Sequence, residues 1–294
     1  MKVSYCILTY NQERYIQETL KSAFEQTYSP MEIVISDDNS TDRTFEIIQK
    51  FAAEYKGPNS IIINRNIQNL GLREHYNKVL YELSHGDIVI LADGDDYSVP
   101  TRVEEYVRTF ERFPEVVMVS SNSIETDEYL SPLNENNERD GAISINTIND
   151  YISNGSWFIH SSDSRGIRRN VIDSFPPLKY PFAEDLSFFL RALLVGSECY
   201  INEGYVYRRH HECNTSSRKW EKETIDKLKQ QMQEDVNYAI DRKYISEAKA
   251  KDVKNKYLYS LKYWSIYSPS EINPVRSLFY RFLSKIFKVR LFRI

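Results

Sequence analysis

Residues 3–42 read VSYCILTYNQERYIQETLKSAFEQTYSPMEIVISDDNSTD. The run Val3–Leu8 is apolar between polar neighbours, which predicts a buried strand. Apolar residues then recur at helical spacing between Ile16 and Phe24, and Glu32–Ser36 predicts a second strand. This order of strand, helix and strand is typical of α/β proteins, in which a crossover helix joins two parallel strands.

The same alternation continues over the first hundred residues. Helical spacing recurs over residues 45–55, with Ser40 as the predicted N-cap, and residues 61–63 predict a third strand. Residues 76–83 predict a third helix, and residues 88–91 a fourth strand. We therefore expect an α/β fold with a mostly parallel sheet flanked by helices, whose ligands bind beyond the carboxyl ends of the strands.

The rest of the chain is less regular. The patterns predict a helix at Pro100–Phe113, a strand at Val116–Ser120, a surface loop at Leu130–Asn149, short strands at Trp157–Ile159 and Gly166–Val171, a helix at Glu184–Val195 and a strand at Tyr205–His210. From Lys219 onward the pattern is helical, with a break at Ser268–Pro274.

The composition is that of an ordinary folded protein. Hydrophobic residues make up 41% of the 294 residues, and the net charge is only -4, so no nucleic-acid partner is expected. Three scattered cysteines favour a reducing compartment. Because the start does not resemble a signal peptide and no apolar run approaches about 20 residues, we expect a cytoplasmic protein.

Polar residues follow three of the predicted strands. These clusters are residues 9–11, residues 37–42 and residues 93–96, and they would converge on one crevice at the sheet edge. The alternative is that Asp, Asn and Ser only cap helices and make turns there.

Asp93 and Asp95 belong to the cluster that indicates a function most specifically. One residue separates them, so in an extended segment both carboxylates face the same way. Hard carboxylate oxygens suit Mg²⁺ or Mn²⁺, which often complete their shells with substrate phosphates. The sequence has no Walker-type loop and no GxGxxG after the first strand, so a metal would have to carry the charge of a diphosphate.

Together these stretches resemble the family 2 glycosyltransferases, which have the GT-A fold. The resemblance rests on residues 4–28 (SYCILTYNQERYIQETLKSAFEQTY), 32–44 (EIVISDDNSTDRT), 69–80 (NLGLREHYNKVL), 86–100 (GDIVILADGDDYSVP), 181–196 (PFAEDLSFFLRALLVG) and 207–217 (YRRHHECNTSS). It implies an inverting enzyme that transfers a sugar from a nucleoside-diphosphate donor, most simply a UDP-sugar, to a hydroxyl of an acceptor.

The resemblance also implies roles for the strand-end residues. Thr9 and Tyr10 would frame the nucleoside, with Tyr10 stacking on the base, and Asp38 would accept a hydrogen bond from the base. Asp93 would reach the ribose or the metal shell, and Asp95 would bind Mn²⁺ or Mg²⁺ directly.

The later stretches supply the remaining roles. Asp185, next to Glu184, would be the catalytic base, although both acids could simply cap the helix that they begin. His210 would complete the metal shell, with His211 as the alternative in the other register. Where many relatives carry Ala-Arg-Asn, this chain has His75-Tyr76-Asn77, and Arg73, one turn earlier, is the candidate to replace the missing arginine.

Four further residues are candidates for acceptor or diphosphate contacts, and Glu184 is the first of them. Arg208 and Arg218 would pair with the diphosphate, or else form a solvated basic face. Trp157 would stack on a sugar, or else belong to the core.

The resemblance and the pattern together divide the chain. We predict a GT-A catalytic domain over residues 1–218, with a nucleotide-binding half at 1–115 and an acceptor-binding half at 116–218. Residues 219–294 would form a helical extension. Its last helix, 276–294, is amphipathic and basic, which favours an anionic membrane surface on the inner face of the cell membrane. The alternative is that this helix packs on protein.

Similar enzymes act in the assembly of surface polysaccharide, lipopolysaccharide or capsule, and the implied acceptor is a glycan or a polyprenyl-linked oligosaccharide. Two other functions compete with this one. A sugar nucleotidyltransferase on a related fold would need a glycine-rich basic loop, where this chain has Asn11-Gln12-Glu13. A carbohydrate-binding scaffold on a decayed fold should have lost Asp93, Asp95 or Asp185, which remain.

Overall fold

The computed structural model describes residues 1–133, 140–153, 164–181, 184–212 and 222–267. The strands in these ranges are β1 (Val3–Thr9), β2 (Glu32–Asp37), β3 (Ser60–Arg65), β4 (Ile88–Asp93), β5 (Tyr97–Ser98), β6 (Val116–Thr126), β7 (Ile143–Asn146), β8 (Arg165–Arg168) and β9 (Ser197–Arg209). The helices are α1 (Ile16–Phe24), α2 (Thr44–Glu54), α3 (Leu72–Lys78), α4 (Arg102–Arg112), α5 (Ile148–Ser153), α6 (Arg169–Asp173), α7 (Glu184–Val195), α8 (Lys222–Asp241) and α9 (Glu247–Tyr267). A π-helical turn, Val79–Leu83, continues α3.

The described strands form one sheet in the order β3-β2-β1-β4-β8-β6-β9-β5, and β7 pairs with β9. The pairs β1–β2, β1–β4, β2–β3 and β6–β9 are parallel. β8 runs antiparallel between β4 and β6, so β4, β6 and β9 end at the same edge. The predicted fold class, a mostly parallel α/β sheet flanked by helices, is confirmed.

The sheet is buried on both faces. Along β1, Cys6 and Leu8 pack in one core cluster, whereas Val3, Tyr5 and Ile7 pack in the other. Alternate side chains of a strand point to opposite faces, so a strand that is covered on both sides must be apolar throughout. This is why the first strands are visible in the sequence as apolar runs.

The second half differs from the prediction in three places. The predicted strand Gly166–Val171 ends at Arg168, and α6 begins at Arg169. Residues 130–149 were expected to be a surface loop, but they include β7 and the start of α5. β7 is a short strand with three exposed residues that pairs only with β9 among the described strands, so its polar sequence does not show the apolar pattern of a core strand. β6 and β9 also extend well beyond their predicted ranges, and their pairing is interrupted by register shifts near Asn122.

The helices after residue 222 share a core with the catalytic region. Leu228, Met232 and Val236 of α8 belong to the same cluster as Leu186 and Phe189 of α7. The described part of the predicted extension therefore packs directly on the helix that begins with Glu184 and Asp185. The exact position of the predicted domain boundary stays a prediction.

A buried ion pair joins α7 to α8. The Arg191 guanidinium donates two hydrogen bonds to Asp235, at 3.0 Å from Nε and 2.7 Å from the terminal nitrogen. Gln231 donates to the same carboxylate and accepts the backbone N–H groups of Lys179 and Tyr180. The loop that leads toward α7 is thus fixed by α8.

We expect Asp235→Asn to destabilise the fold strongly, because it leaves the Arg191 charge buried without its counter-ion. Loss of one partner of a buried ion pair costs about 3–5 kcal/mol. Urea unfolding measures the change in free energy. Glu234→Gln is the matched control, since Glu234 lies next in the chain and forms a more exposed pair with Lys179. Equal midpoints for the two variants would contradict the prediction.

Candidate active site

The site lies at the carboxyl edge of the sheet, where the loops after β1 and β2 are joined by hydrogen bonds. The Asn11 N–H donates to Ser40 Oγ at 2.9 Å, and the Asn11 side chain accepts the Thr41 N–H at 2.8 Å. Asn11 and Asn39 both have positive φ angles, which asparagine adopts more readily than most residues. This contact fixes the backbone next to Tyr10, which is 45% exposed.

The prediction that Ser40 caps α2 is wrong. The helix begins at Thr44, and its first N–H groups are served by Asp42, whose carboxylate accepts the Thr44 N–H at 2.9 Å. The Ser40 hydroxyl is instead engaged with Asp37 and with the Asn11 N–H. Asp37 also accepts the Ser40 N–H, so it braces this turn.

Asp38 is buried and holds the loop before α3. Its carboxylate accepts the Asn66 side-chain amide at 2.7 Å and the N–H groups of Leu70 and Gly71, each at 2.9 Å. Because Oδ2 accepts only the Gly71 N–H among the described partners, it retains capacity for another donor. Its predicted contact with the nucleotide base stays a prediction.

The Asp-x-Asp turn packs tightly on the end of β1. The Gly94 N–H donates to the Leu8 carbonyl at 2.9 Å, and the Thr19 hydroxyl lies 3.0 Å and 2.7 Å from the carbonyls of Gly94 and Asp96. A Cβ atom at position 94 would lie 2.7 Å from the Thr9 Cβ, closer than real Cβ contacts allow. Only glycine fits here, and the close approach buries Thr9 beside the two acids.

Of the two adjacent histidines, His211 is the one beside the Asp-x-Asp turn. Its Nε2 lies 2.9 Å from Asp95 Oδ2, and only 10% of its side chain is exposed. His210 points elsewhere: its side chain is 48% exposed and contacts Glu125. The structure therefore places His211, the alternative in the other register, beside Asp95, and it places His210 beside Glu125. Which of the two binds a metal stays a prediction.

The ring of His211 is held by a network that the motifs do not reveal. It stacks on Tyr15, with 4.7 Å between ring centroids, and the Arg209 guanidinium lies 4.7 Å from the same Tyr15 ring. Arg209 is buried, pairs with Glu18 at 2.7 Å, and donates its backbone N–H to Asp96 at 2.9 Å. Asp96 thus caps the end of β9, and it holds the two halves of the site together.

The donor set at this point suits Mg²⁺ or Mn²⁺. No group of three His, Cys, Asp or Glu side chains among the described residues could hold a metal by itself. Two protein ligands are available, Asp95 and His211, and their facing atoms are 2.9 Å apart. Neighbouring ligands of an octahedral ion with bonds of about 2.1 Å lie about 3.0 Å apart, so the pair matches two adjacent positions of such a shell. Donor phosphate oxygens and water would supply the rest.

Asp185 lies in the first turn of α7, beside a buried arginine. Arg165 donates from one terminal nitrogen to the Asp185 carbonyl at 2.7 Å, and this nitrogen lies 3.4 Å from Asp185 Oδ1. The pairing of Ile90 with Gly166, continued by one residue, brings Arg165 beside Leu91, near the carboxyl end of β4. Asp185 therefore lies at the same sheet edge as the acids that follow β4. Glu184, its neighbour, is buried.

Residues 75–77 of α3 are held by contacts with the rest of the protein. His75, Tyr76 and Asn77 are all buried, and burial lowers the pKa of His75, which contacts the Ser36 hydroxyl at 2.7 Å. Asn77 exchanges two hydrogen bonds of 2.9 Å with the backbone of Leu178. His75 and Asn77 therefore make these contacts within the protein.

Two of the remaining candidates, Arg73 and Arg208, contact other groups of the protein. Arg73 donates to the Lys179 carbonyl and pairs with Glu74 at 2.7 Å, so its predicted donor contact stays a prediction. Arg208 lies 3.7 Å from Glu125. Trp157 and Arg218 lie outside the described residues.

These features define a class: a GT-A fold with acids gathered at the carboxyl edge. The structure of S. aureus TarS 1–349 in complex with UDP-GlcNAc has a TM-score of 0.66 and 20% identity, over 88% of this chain and 72% of that one. The mannosyltransferase PcManGT from Pyrobaculum calidifontis, in complex with GDP-Man and Mn²⁺, has a TM-score of 0.57 and 16% identity, over 97% of this chain and 80% of that one. At such identities the likeness establishes the GT-A fold alone.

The family model described as "Glycosyl transferase family 2" matches residues 4–175. The chain therefore belongs to glycosyl transferase family 2. It is similar to the putative glycosyltransferase EpsE of Bacillus subtilis, with 33% identity over 130 residues that cover 44% of this chain and 45% of EpsE. An uncharacterized glycosyltransferase of Haemophilus influenzae is 26% identical over 260 residues, covering 82% of this chain and 75% of the relative. The match to EpsE spans less than half the length of that relative.

Proposed function

We propose that this chain is an inverting, metal-dependent glycosyltransferase that moves a sugar from a nucleoside-diphosphate sugar to a hydroxyl of a glycan or lipid-linked acceptor. The observation that carries the proposal is the meeting of Asp95, His211 and Asp185 at one sheet edge in a family 2 chain. Two of these side chains suit a cation, and the third contacts Arg165.

The donor that we propose is a UDP-sugar. The support is a relative, the Escherichia coli enzyme WfaP, which is named UDP-Glc:alpha-D-GlcNAc-diphosphoundecaprenol beta-1,3-glucosyltransferase and is 34% identical over 42% of this chain and 47% of its own. The UDP-GlcNAc complex of TarS adds to it. On this chain, the half-exposed ring of Tyr10 is available to stack on a base, and Asp38 Oδ2 to accept its N–H. Asp93, at the end of β4, would face the ribose or the metal shell.

The cofactor that we propose is Mn²⁺ or Mg²⁺, held by Asp95 and His211 with Asp93 nearby. A bound divalent ion would act as a Lewis acid that offsets negative charge on the departing diphosphate. Mn²⁺ is present in the complex of the fold neighbour PcManGT. Arg208, two residues before His210, is a further candidate to face the diphosphate when its weak pair with Glu125 opens.

Asp185 would act as the general base. The acceptor hydroxyl gives its proton to the Asp185 carboxylate while its oxygen bonds to the anomeric carbon, and the bond from that carbon to the diphosphate oxygen breaks. The nucleoside diphosphate leaves on the face opposite the attack, so the anomeric configuration inverts. Arg165 fixes both the backbone and the carboxylate of Asp185, so the base is positioned before the acceptor binds.

The two competing functions fit less well. A nucleotidyltransferase needs open backbone amides after β1, whereas the N–H groups of Asn11, Gln12 and Glu13 already donate to Ser40, Thr44 and Asp42. A scaffold on a decayed fold has no reason to keep a cation-compatible pair beside a braced carboxylate. A screen of sugar nucleotides for Mn²⁺-dependent hydrolysis and thermal stabilisation tests the proposal. Absence of any Mn²⁺-dependent binding would overturn it.

The two histidines give a matched pair of variants. We expect His211→Ala to weaken Mn²⁺-dependent UDP binding by about tenfold or more, because it removes a ligand, and His210→Ala to leave it within about twofold. Isothermal titration of UDP at fixed Mn²⁺ measures both. A larger loss in His210→Ala than in His211→Ala would show that the ligand assignment is wrong.

Surface polysaccharide assembly is the process that we propose for this activity, since WfaP by its name acts on a diphosphoundecaprenol-linked sugar. Among the described residues, no helix has the length and apolar character needed to cross a bilayer. The basic amphipathic segment 276–294 lies outside those residues, and we propose that it binds anionic lipid at the inner face of the membrane.

Flotation with vesicles that contain anionic lipid tests this segment. We expect the full chain to float and a chain that ends at Asn273 to stay at the bottom, because about 1 kcal/mol of attraction is lost with each basic residue removed. High salt should release the full chain. Equal flotation of the two chains would end the membrane proposal.

A further inference from the structure

The turn after β6, residues 127–133, is rigid and belongs to the same edge as the proposed site. Asp127 accepts the N–H groups of Tyr129 and Ser131, each at 2.9 Å, and its own N–H donates to the Ser131 carbonyl at 3.0 Å. Leu130 has a positive φ of 64°, which closes the turn. The backbone of the turn is therefore defined by its own hydrogen bonds and does not need a ligand to order it.

Arg209 ties this turn to the acids. One terminal nitrogen of its buried guanidinium donates to the Glu128 carbonyl at 3.0 Å, and its backbone N–H donates to Asp96. The His210 N–H also donates to the Thr126 carbonyl at 2.9 Å, directly before the turn. The turn is thus held at a fixed place relative to the end of β9, from which His211 reaches Asp95.

The tip of the turn presents an aromatic ring to solvent. Tyr129 is 79% exposed, more than any other tyrosine among the described residues. The charge of the Glu128 carboxylate and its hydrogen bond raise the pKa of the Tyr129 hydroxyl, and Arg14, in the loop after β1, lowers it by a smaller amount. The Glu128 carboxylate therefore holds the Tyr129 hydroxyl, and the ring beside it is exposed to solvent.

We propose that Tyr129 is a stacking residue of the acceptor subsite and that its ligand is a pyranose ring of the acceptor glycan. A sugar ring has an apolar C–H face that packs on an aromatic ring, and its hydroxyls bond to flanking carboxylates such as Glu128. A ring displayed on a rigid turn loses little side-chain entropy on binding. The assignment rests on the proposed function, since it names the acceptor side of the same site.

Saturation-transfer NMR on the full chain tests this subsite, in the presence of UDP and Mn²⁺. The probes are the methyl glycosides of glucose, galactose, mannose and N-acetylglucosamine, which carry no nucleotide. We expect at least one probe to bind the wild type, Tyr129→Ala to weaken it about three- to tenfold, and Tyr129→Phe to retain most of the affinity. Tyr259→Ala is the control, because Tyr259 is a 62% exposed tyrosine on α9 and should leave binding unchanged.

Three outcomes would overturn the subsite. The first is that no probe binds to the wild type, and the second is that Tyr129→Ala and the wild type bind the probes equally. The third is a self-association in sedimentation that depends on Tyr129 and so accounts for the exposed ring. UDP titration separates this result from the proposed function. If the wild type binds UDP with Mn²⁺ and Tyr129→Ala binds the glycosides as the wild type does, only the subsite proposal is wrong. If the wild type binds no nucleotide, the proposed function itself is wrong.

Discussion

Replacing Asp185 with asparagine should abolish sugar transfer while donor binding stays near the wild-type value. Asparagine has nearly the same shape and can still face Arg165, but it cannot take a proton from the acceptor hydroxyl. General-base catalysis contributes about 10²–10⁴-fold to a rate, so kcat should fall by that factor. The affinity for UDP with Mn²⁺ should change by less than about twofold, since the carboxylate is proposed to touch the acceptor and not the nucleotide.

Two measurements on the same variant make this result decisive. Initial rates of transfer report the chemical step, and isothermal titration of UDP reports the donor site. Asp226→Asn is a suitable control, because Asp226 is a half-exposed carboxylate on α8 that pairs with Lys229 at 3.0 Å. Wild-type turnover in Asp185→Asn would refute the base assignment. Loss of UDP binding together with turnover would instead place Asp185 on the donor side.

Three strands of the first half, β1, β2 and β4, could be predicted because they are buried on both faces and are therefore mostly apolar. The same rule explains why β7 and the ends of β6 and β9 were not predicted. β7 is exposed and polar, so its sequence resembles a loop. β6 and β9 carry half-buried polar residues toward the edge that holds the site, so their apolar runs end before the strands do.

The choice between the two histidines could not be made from the sequence. Adjacent residues at a strand end point in opposite directions, so the question depends on the register of β9. Thr126 pairs with Arg209, whose side chain is buried toward Tyr15, and the chain then turns His210 outward and His211 back toward Asp95. One residue of slip in that pairing would exchange the two histidines.

Tyr15, Arg165 and Arg209 could not be assigned from the sequence either, for a different reason. Each acts through another residue: Tyr15 packs on His211, Arg165 holds Asp185, and Arg209 contacts Tyr15. A positioning side chain needs only the right contact in space, so no spacing in the sequence marks it. The two arginines give only an indirect indication: each is fully buried, and a fully buried arginine requires a partner.

Replacing Asp95 with asparagine should remove the metal dependence of donor binding. The wild type is expected to bind UDP more tightly with Mn²⁺ than without it, because the ion links the diphosphate to Asp95 and His211. Asparagine keeps the size of the side chain but replaces an anionic ligand with a neutral amide, which divalent ions bind less well. We expect the affinity for UDP with Mn²⁺ to fall by at least about tenfold to a hundredfold.

Titration in EDTA separates this loss from damage to the nucleotide pocket. Without the ion, Asp95→Asn and the wild type should bind UDP equally, since Tyr10 and Asp38 are unchanged. Glu125→Gln removes a carboxylate from the same sheet edge, where it faces His210, and it should retain the full gain from Mn²⁺. If Asp95→Asn kept that gain, the cation would have to be held elsewhere. The contacts between the end of β4 and the end of β9 would then stabilise the fold without binding the metal.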